Sequence, residues 1–307
     1  SRSVGDFNYT VTYLSFSPVP KAKDTGDQYD LAPVSSGPYK IQKYKAKDEM
    51  VLVRNDKWSK KSDPIRNAYP DKIVVRFGLA EEVRDQLILS DSEKNAFSLD
   101  GILPTNLPTV FDDKGNPKKA YESRALNVYD PYVRYAAFNV KKVPCLEIRR
   151  AVYFAKDAAG LLQLSGGAAF GGDPADGAIK PLMGLDYKKV TGLEDFKPAG
   201  NAKAAKALME KAKTTCPAEY AKATDPKRGL VFDTADSETN KKSAAIWIDS
   251  MMKNAGIVMK FNFIEPGSYY AVVLDATKQS DISAGGWAPD WANASTVIPE
   301  LFTKEGG

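Results

Sequence analysis

Gly229-Leu230-Val231-Phe232-Asp233, then a helical run carrying Ala244, Ile248, Met251 and Ala255, then Gly256 and Ile257-Val258-Met259-Lys260-Phe261-Asn262-Phe263 make up the stretch that decides the fold class. The first run is short and apolar, as a buried strand is. The second keeps its apolar residues on one helical face, and Gly256 stands where a left-handed C-terminal cap is needed. The third alternates Ile257, Met259, Phe261 and Phe263 with Val258, Lys260 and Asn262, the period of a half-buried strand. A helical stripe over 268–277 (Tyr270, Val273, Leu274, Thr277) and the run Ile282-Ser283-Ala284 complete strand, helix, strand, helix, strand. That order predicts an α/β lobe with partly parallel strands.

In open α/β sheets, ligands lie beyond the carboxyl ends of strands. Asp233-Thr234-Ala235-Asp236 is at one such end, and Gly285-Gly286-Trp287-Ala288-Pro289-Asp290-Trp291 is at another. The glycines allow close backbone approach, Pro289 stiffens the turn, and Trp287, Asp290 and Trp291 are suited to stack on a ligand and hold a cation. A second reading stays open: a buried tryptophan beside a loop aspartate that caps a helix starting near Asn293. Tyr270 falls on the apolar stripe and is expected in the core, which leaves Tyr269 as the ligand contact.

The chain of 307 residues suffices for one large or two ordinary domains, and 43% hydrophobic with 27% charged residues fits a folded chain without a membrane span. The net charge of +4 arises from 43 basic and 39 acidic residues scattered together, so no nucleic-acid partner is expected. Histidine is absent, which removes Ser-His-Asp and Cys-His catalysis and His-containing metal sites. Cys145 and Cys216 are too few for a zinc site; they form one disulfide or remain two buried thiols. The Gly-rich 166–184 connection lacks the spacing of a phosphate loop, so it reads as a flexible loop. No cofactor or metal is expected.

Elsewhere the patterns predict a strand or irregular edge over 7–16, a hairpin of 39–44 with 50–54, and a strand at 73–77. A helix over 80–89 turns Val83, Leu87 and Ile88 inward and Glu81, Glu82, Arg84 and Asp85 outward. A strand and turn at 95–101, a helical turn or loop at 103–110, and strands at 125–128 and 133–140 follow. Helices are expected over 146–157 and from an Asn201 cap to about 213, then a loop around Cys216.

Several stretches together resemble one family. Ser36-Gly37-Pro38-Tyr39-Lys40-Ile41, Val51-Leu52-Val53-Arg54-Asn55-Asp56-Lys57-Trp58, Tyr135-Ala136-Ala137-Phe138-Asn139, Ile148-Arg149-Arg150-Ala151-Val152 with Ala155-Lys156-Asp157, the 202–209 helix and Gly286-Trp287-Ala288-Pro289-Asp290 occur in the order of landmarks in the extracytoplasmic solute-binding proteins of peptide/nickel ABC importers (family 5, oligopeptide/dipeptide-binding). The resemblance implies a two-lobed α/β periplasmic-binding-protein-like fold (class II, cluster C), incomplete at both ends. Residues 1–140 would be part of the first lobe, 141–292 the second, and 293–307 the start of a return segment. It implies a non-catalytic, monomeric protein outside the cytoplasmic membrane, anchored by an upstream lipid, that delivers an oligopeptide to ABC permease subunits. That oxidising compartment favours the disulfide.

In peptide-binding relatives, the aspartate matching Asp290 pairs with the ligand's α-ammonium. Dipeptide-binding relatives also place an arginine for the ligand carboxylate before the long second-lobe helix. Here Asp236 or Ser237 stands nearby and no arginine follows Arg228, which favours a longer peptide. Two other readings remain. An oligosaccharide would stack on Trp287, Trp291, Tyr269 and Tyr270 and bond Asp290, Asp236 and Asn293, and a two-carboxylate glycosidase would use Asp236 and Asp290.

Overall fold

A computed structural model describes residues 5–303; the ends of the expected first and last segments, 1–4 and 304–307, lie outside the described residues. The chain divides into two compact units, Ser1–Leu103 and Pro104–Gly307.

In the first unit, β1 (Tyr39–Lys45), β2 (Glu49–Arg54) and β3 (Lys72–Arg76) form an antiparallel three-stranded sheet in that order. The expected hairpin is present. Asn55 organises its entry: buried behind β2, its Nδ2 donates to the carbonyls of Ser35 (2.9 Å) and Gly37 (2.8 Å). The helices of this unit are α1 (Phe7–Thr12) and α2 (Glu81–Ser90).

In the second unit, β4 (Val133–Phe138), β5 (Leu230–Ala235), β6 (Met259–Ile264) and β7 (Ile282–Trp287) form a four-stranded sheet ordered β4-β7-β5-β6. β5 runs parallel to β6 and β7, and β4 is antiparallel to β7 from Val133↔Trp287 to Phe138↔Ile282. Its helices are α3 (Leu107–Val110), α4 (Leu146–Ala155), α5 (Ala158–Gln163), α6 (Ala168–Gly171), α7 (Ala202–Thr215), α8 (Pro217–Thr224), α9 (Glu238–Ala255), α10 (Tyr269–Val273) and α11 (Ile298–Phe302). One core joins Ile148, Ala151, Val152 and Ala155 of α4, Ala205, Met209 and Ala212 of α7 and Met251 of α9 to Leu230, Phe232, Met259 and Ile282 of the sheet. Alanines on the facing helix stripes let the backbones approach closely. Asn201 caps α7 through Ala204 N–H (3.2 Å), and Gly256 closes α9 at φ 68°.

The two cysteines are joined: a Cys145–Cys216 disulfide, Cα–Cα 6.1 Å, ties the start of α4 to the junction of α7 and α8. Two buried carboxylates hold β5 in the middle of the sheet. Asp281 accepts from Val231 N–H (2.9 Å) and from the Lys222 ammonium, while Asp233 accepts from Asn262 Nδ2 (2.9 Å) and Ser280 N–H (2.6 Å). Both are buried charges with the partners that burial demands.

Several expectations are corrected. Residues 7–16 are not a strand but α1 and a 3-10 turn, Leu14–Phe16. The segment is largely exposed and bonds to itself, with Asp6 O accepting from Tyr9 and Thr10 N–H. Strand propensity is expressed only where a pleated partner exists. For the same reason 95–101 and 125–128 form no strand; Asn127 instead donates to Gly115 O and Ala169 O. α2 shows a different face from the one read: Asp85 is fully buried and Val83 exposed, because Asp85 accepts from Leu103 N–H (2.8 Å) and Arg84 (3.0 Å). The loop expected after Cys216 is α8, with Pro217 at its first turn. The β4–β7 pairing places residues 133–138 in the second compact unit.

Candidate functional site

The carboxyl end of β7 is built by its register against β4. Tyr135 lies opposite Gly285, and a Cβ at Gly285 would overlap the Tyr135 ring, so this glycine is required by close approach. Arg134 lies opposite Gly286; an added Cβ there would be 3.8 Å from Tyr132 Cδ1 and 3.9 Å from Arg134 Cγ. Tyr132 and Arg134 thus flank a position that has no side chain.

Beyond β7 the chain is tied down locally. Trp287 is half-buried, and its Nε1 donates to Thr296 O (2.7 Å) in the 3-10 turn Ala294–Thr296. Asn293 caps that turn by accepting from Ser295 N–H (2.8 Å), and Asp186 accepts from Ala294 N–H (2.7 Å). The capping role weighed for an aspartate in this loop is therefore filled by Asn293. Trp291 is half-buried, and its carbonyl accepts from the Thr296 hydroxyl (3.3 Å). Asp290 is exposed between these anchored residues, and among the described residues its carboxylate has no hydrogen-bond or ion-pair partner.

The other expected site residues are spent differently. Asp236 stands beyond the carboxyl end of β5, exposed, with its Oδ1 3.1 Å from Lys241 Nζ. The two tyrosines are the reverse of the reading from their spacing. Tyr269 is 6% exposed and donates to Ala284 O (2.5 Å), whereas Tyr270 is 63% exposed. Burial first, and the nearby Asp233 charge second, push the Tyr269 phenol up to about 12. The cause of the inversion is the 3-10 turn Pro266–Ser268, which shortens the helix to α10 and changes its phase. Tyr269 is thus a post under the strand rather than a ligand contact.

Residues not singled out from the sequence also converge here. Arg134 binds Asp130 (Nη2–Oδ2 2.6 Å) and lies 5.6 Å from the Tyr132 ring centre. Lys180 donates to Asp130 O (3.0 Å) and stands 3.9 Å from its carboxylate. Burial works against the Asp130 charge, but the hydrogen bonds from Arg134 and Tyr132 N–H prevail and hold it below the usual carboxylate range. Lys180 is pushed down by burial, which the Asp130 charge only partly offsets and Arg134 reinforces. The β4–β7 pairing sets Arg134 opposite Gly286, and Lys180 reaches Asp130 from 50 residues along the chain, so no local spacing marks the group.

Two other places in the second unit gather polar side chains or enclose space. Cys145, Glu147 and Cys216 bring ligand-type atoms within 4.8 Å of one another, but the sulfurs are bonded to each other and Glu147 pairs with Lys211 (3.0 Å). A cavity of about 430 Å³ against α4 is lined by Tyr153, Asp176, Val190, Leu193 and Phe196 among others, and shares no residue with the β7 end.

The family model for bacterial extracellular solute-binding proteins, family 5 Middle, matches residues 1–307. No curated protein sequence matches significantly. Among solved structures, the clavulanic acid biosynthesis oligopeptide binding protein 2 is similar over 100% of this chain and 54% of its own, at 22% identity and TM-score 0.74. The substrate-binding domain of an oligopeptide ABC transporter from Bacillus anthracis matches over 99% and 56%, at 21% identity and TM-score 0.70. OppA of Listeria monocytogenes bound to peptide matches over 100% and 58%, at 18% identity and TM-score 0.68. At these identities the likeness speaks for the fold, that of the matching part of a two-lobed periplasmic-binding-protein-like protein. The chain spans a little over half the length of these structures.

Proposed function

The chain belongs to the family 5 bacterial extracellular solute-binding proteins, and from that premise we propose that the whole protein binds an oligopeptide outside the cytoplasmic membrane and passes it to an ABC permease. The family is one of binding proteins, not enzymes. Among the described residues no helix is long and apolar enough to cross a membrane. The observation that carries the proposal is Asp290: an exposed carboxylate beyond the carboxyl end of β7, without a partner among the described residues and held between Trp287 and an Asn293-capped turn. Such a group suits the free α-ammonium of a peptide. Asp236 is engaged by Lys241, Asn293 by its own turn and Tyr269 by the sheet, so Asp290 is the strongest anchor, with Trp287 and Trp291 as walls beside it.

A charge-assisted pair of this kind contributes about 1.5–3 kcal/mol net, roughly 10- to 100-fold in affinity. Calorimetry on the full-length protein tests it with trialanine and N-acetyl-trialanine. Both Asp290→Asn and acetylation are expected to weaken binding by that factor, without adding to each other. Unchanged affinity in both cases would remove Asp290 as the amine anchor.

A further inference from the structure

We propose that Cys145, Cys216 and Glu147 form a redox-gated site for a thiophilic divalent cation of the zinc class, closed while the disulfide stands and open once a dithiol has reduced it. The site shares no residue with the β7 end and is independent of the peptide-binding reading. Its starting point is a third ligand beside the sulfurs. Glu147 Oε2 stands 3.7 Å from Cys145 Sγ, and both sulfurs and a carboxylate oxygen of Glu147 lie within 4.8 Å of one another. Zinc holds thiolate sulfur at about 2.3 Å and carboxylate oxygen at about 2.1 Å, so two such atoms stand about 3.6 Å apart across a tetrahedral angle. Cys145 and Glu147 already have that spacing. Once unbonded, the sulfurs need to part to about 3.8 Å, which side-chain rotation supplies from Cα atoms 6.1 Å apart.

Charge and anchoring favour the same assignment. The ion pair of Glu147 with Lys211 uses the other oxygen, Oε1 (3.0 Å), which leaves Oε2 for the cation. Two thiolates, a carboxylate and a divalent ion sum to one negative charge, and the Lys211 ammonium balances it. Cys145 opens α4 and Cys216 opens α8, where the partial positive charge of a helix N-terminus stabilises negative charge. Cys145 also packs in the core with Ile148, Met209 and Ala212, so the ligand positions are held by packing as well as by the sulfur–sulfur bond. A water completes the tetrahedron.

The gate is thiol–disulfide exchange. Cys145 is 6% exposed and Cys216 is the more open of the two, so the thiolate of a dithiol attacks Cys216 Sγ. The sulfur–sulfur bond breaks and Cys145 leaves as thiolate. The second thiol of the reductant then attacks its own sulfur in the mixed disulfide and releases Cys216. The reductant departs as a disulfide, two electrons have entered the pair, and the two thiol protons of the reductant end on the cysteines. The arriving cation displaces those two protons.

The test uses the full-length protein, oxidised or reduced with dithiothreitol that is then removed without air, with Zn2+ followed by calorimetry and Co2+ by absorption. The reduced protein should take up a single equivalent more than the oxidised one, give thiolate-to-cobalt charge transfer with tetrahedral ligand-field bands, and show thiols shielded from alkylation. Cys145→Ser with Cys216→Ser should abolish the extra equivalent, and Glu147→Gln should weaken it about 10-fold or more. Zinc should also raise the urea midpoint of the reduced protein and not of the oxidised one, a readout that a merely structural disulfide would not move. Equal uptake by the two forms, cobalt spectra without thiolate bands, or uptake that survives the double substitution would overturn the site. Unchanged affinity in Glu147→Gln would remove Glu147 as a ligand and with it the site as proposed, and so would unfolding on reduction that neither Zn2+ nor Co2+ reverses.

Discussion

The sheet of Ser1–Leu103 and the sheet of Pro104–Gly307 use similar strand-forming residues and are stabilised by different physics. Among the described residues of the first unit, Val51 is the only buried hydrophobic, while Tyr44, Ile65, Tyr69, Phe77, Phe97 and Leu99 are exposed. That sheet rests on its ladders, on Asn55, and on exposed ion pairs such as Lys40–Asp56, Arg54–Asp71 and Arg76–Glu93. The second sheet carries α4, α7 and α9 over one face, with Ile148, Met251 and Ile282 fully buried. Strand propensity alone therefore does not make a core; a second layer does. Exposed ion pairs contribute little, whereas buried apolar groups, satisfied buried charges and cross-links contribute most.

The largest effect that could break this contrast is loss of the disulfide. Its 71-residue separation corresponds to about 4 kcal/mol of denatured-state entropy. Cys145→Ala with Cys216→Ala should lower urea stability by about that amount, with hydrogen exchange speeding up in α4 and α7 and not in β1–β3. Equal loss of protection in both sheets would show that the units do not respond separately. Next comes Asp281→Ala, which frees Val231 N–H and leaves Lys222 without its carboxylate; about 3 kcal/mol is expected. Loss of β5 and β7 amide protection ahead of α9 would sharpen the assignment, and an unchanged urea midpoint would refute it. The smallest effect is Arg76→Ala in the first unit, which should leave the urea midpoint unmoved. Its hydrogen bond holds Glu93 below the usual glutamate range, so whatever the pair contributes is present above that range and lost as pH falls through the depressed value. A large shift at neutral pH would mean that exposed pairs matter more to this sheet than its geometry indicates.

The site was only partly legible before folding. Gly285, Gly286 and Asp290 stand out in the chain because glycines beside a loop carboxylate are a local signal. The roles of Asn293 and Tyr269 were not legible, since a turn cap and a one-step change of helical phase depend on how short turns close. Asp85 was read as solvent-facing because charge predicts exposure unless a partner is known, and its partner at Leu103 lies outside its own helix.

What the amino-acid sequence determined by itself was the succession β5, α9, β6, the β1–β2 hairpin, the Asn201 and Gly256 caps and the absence of histidine chemistry. Each depends on periodicity or backbone preference within a few residues. Only the tertiary structure decided that β4 lies beside β7, that Cys145 meets Cys216, and that Arg134 and Lys180 gather around Asp130 near Gly286. Apart from the local Arg134–Asp130 pair, those contacts join segments from about 50 to 150 residues apart, and their pairing is set by competition among all available strand edges and helix faces, which no local pattern encodes.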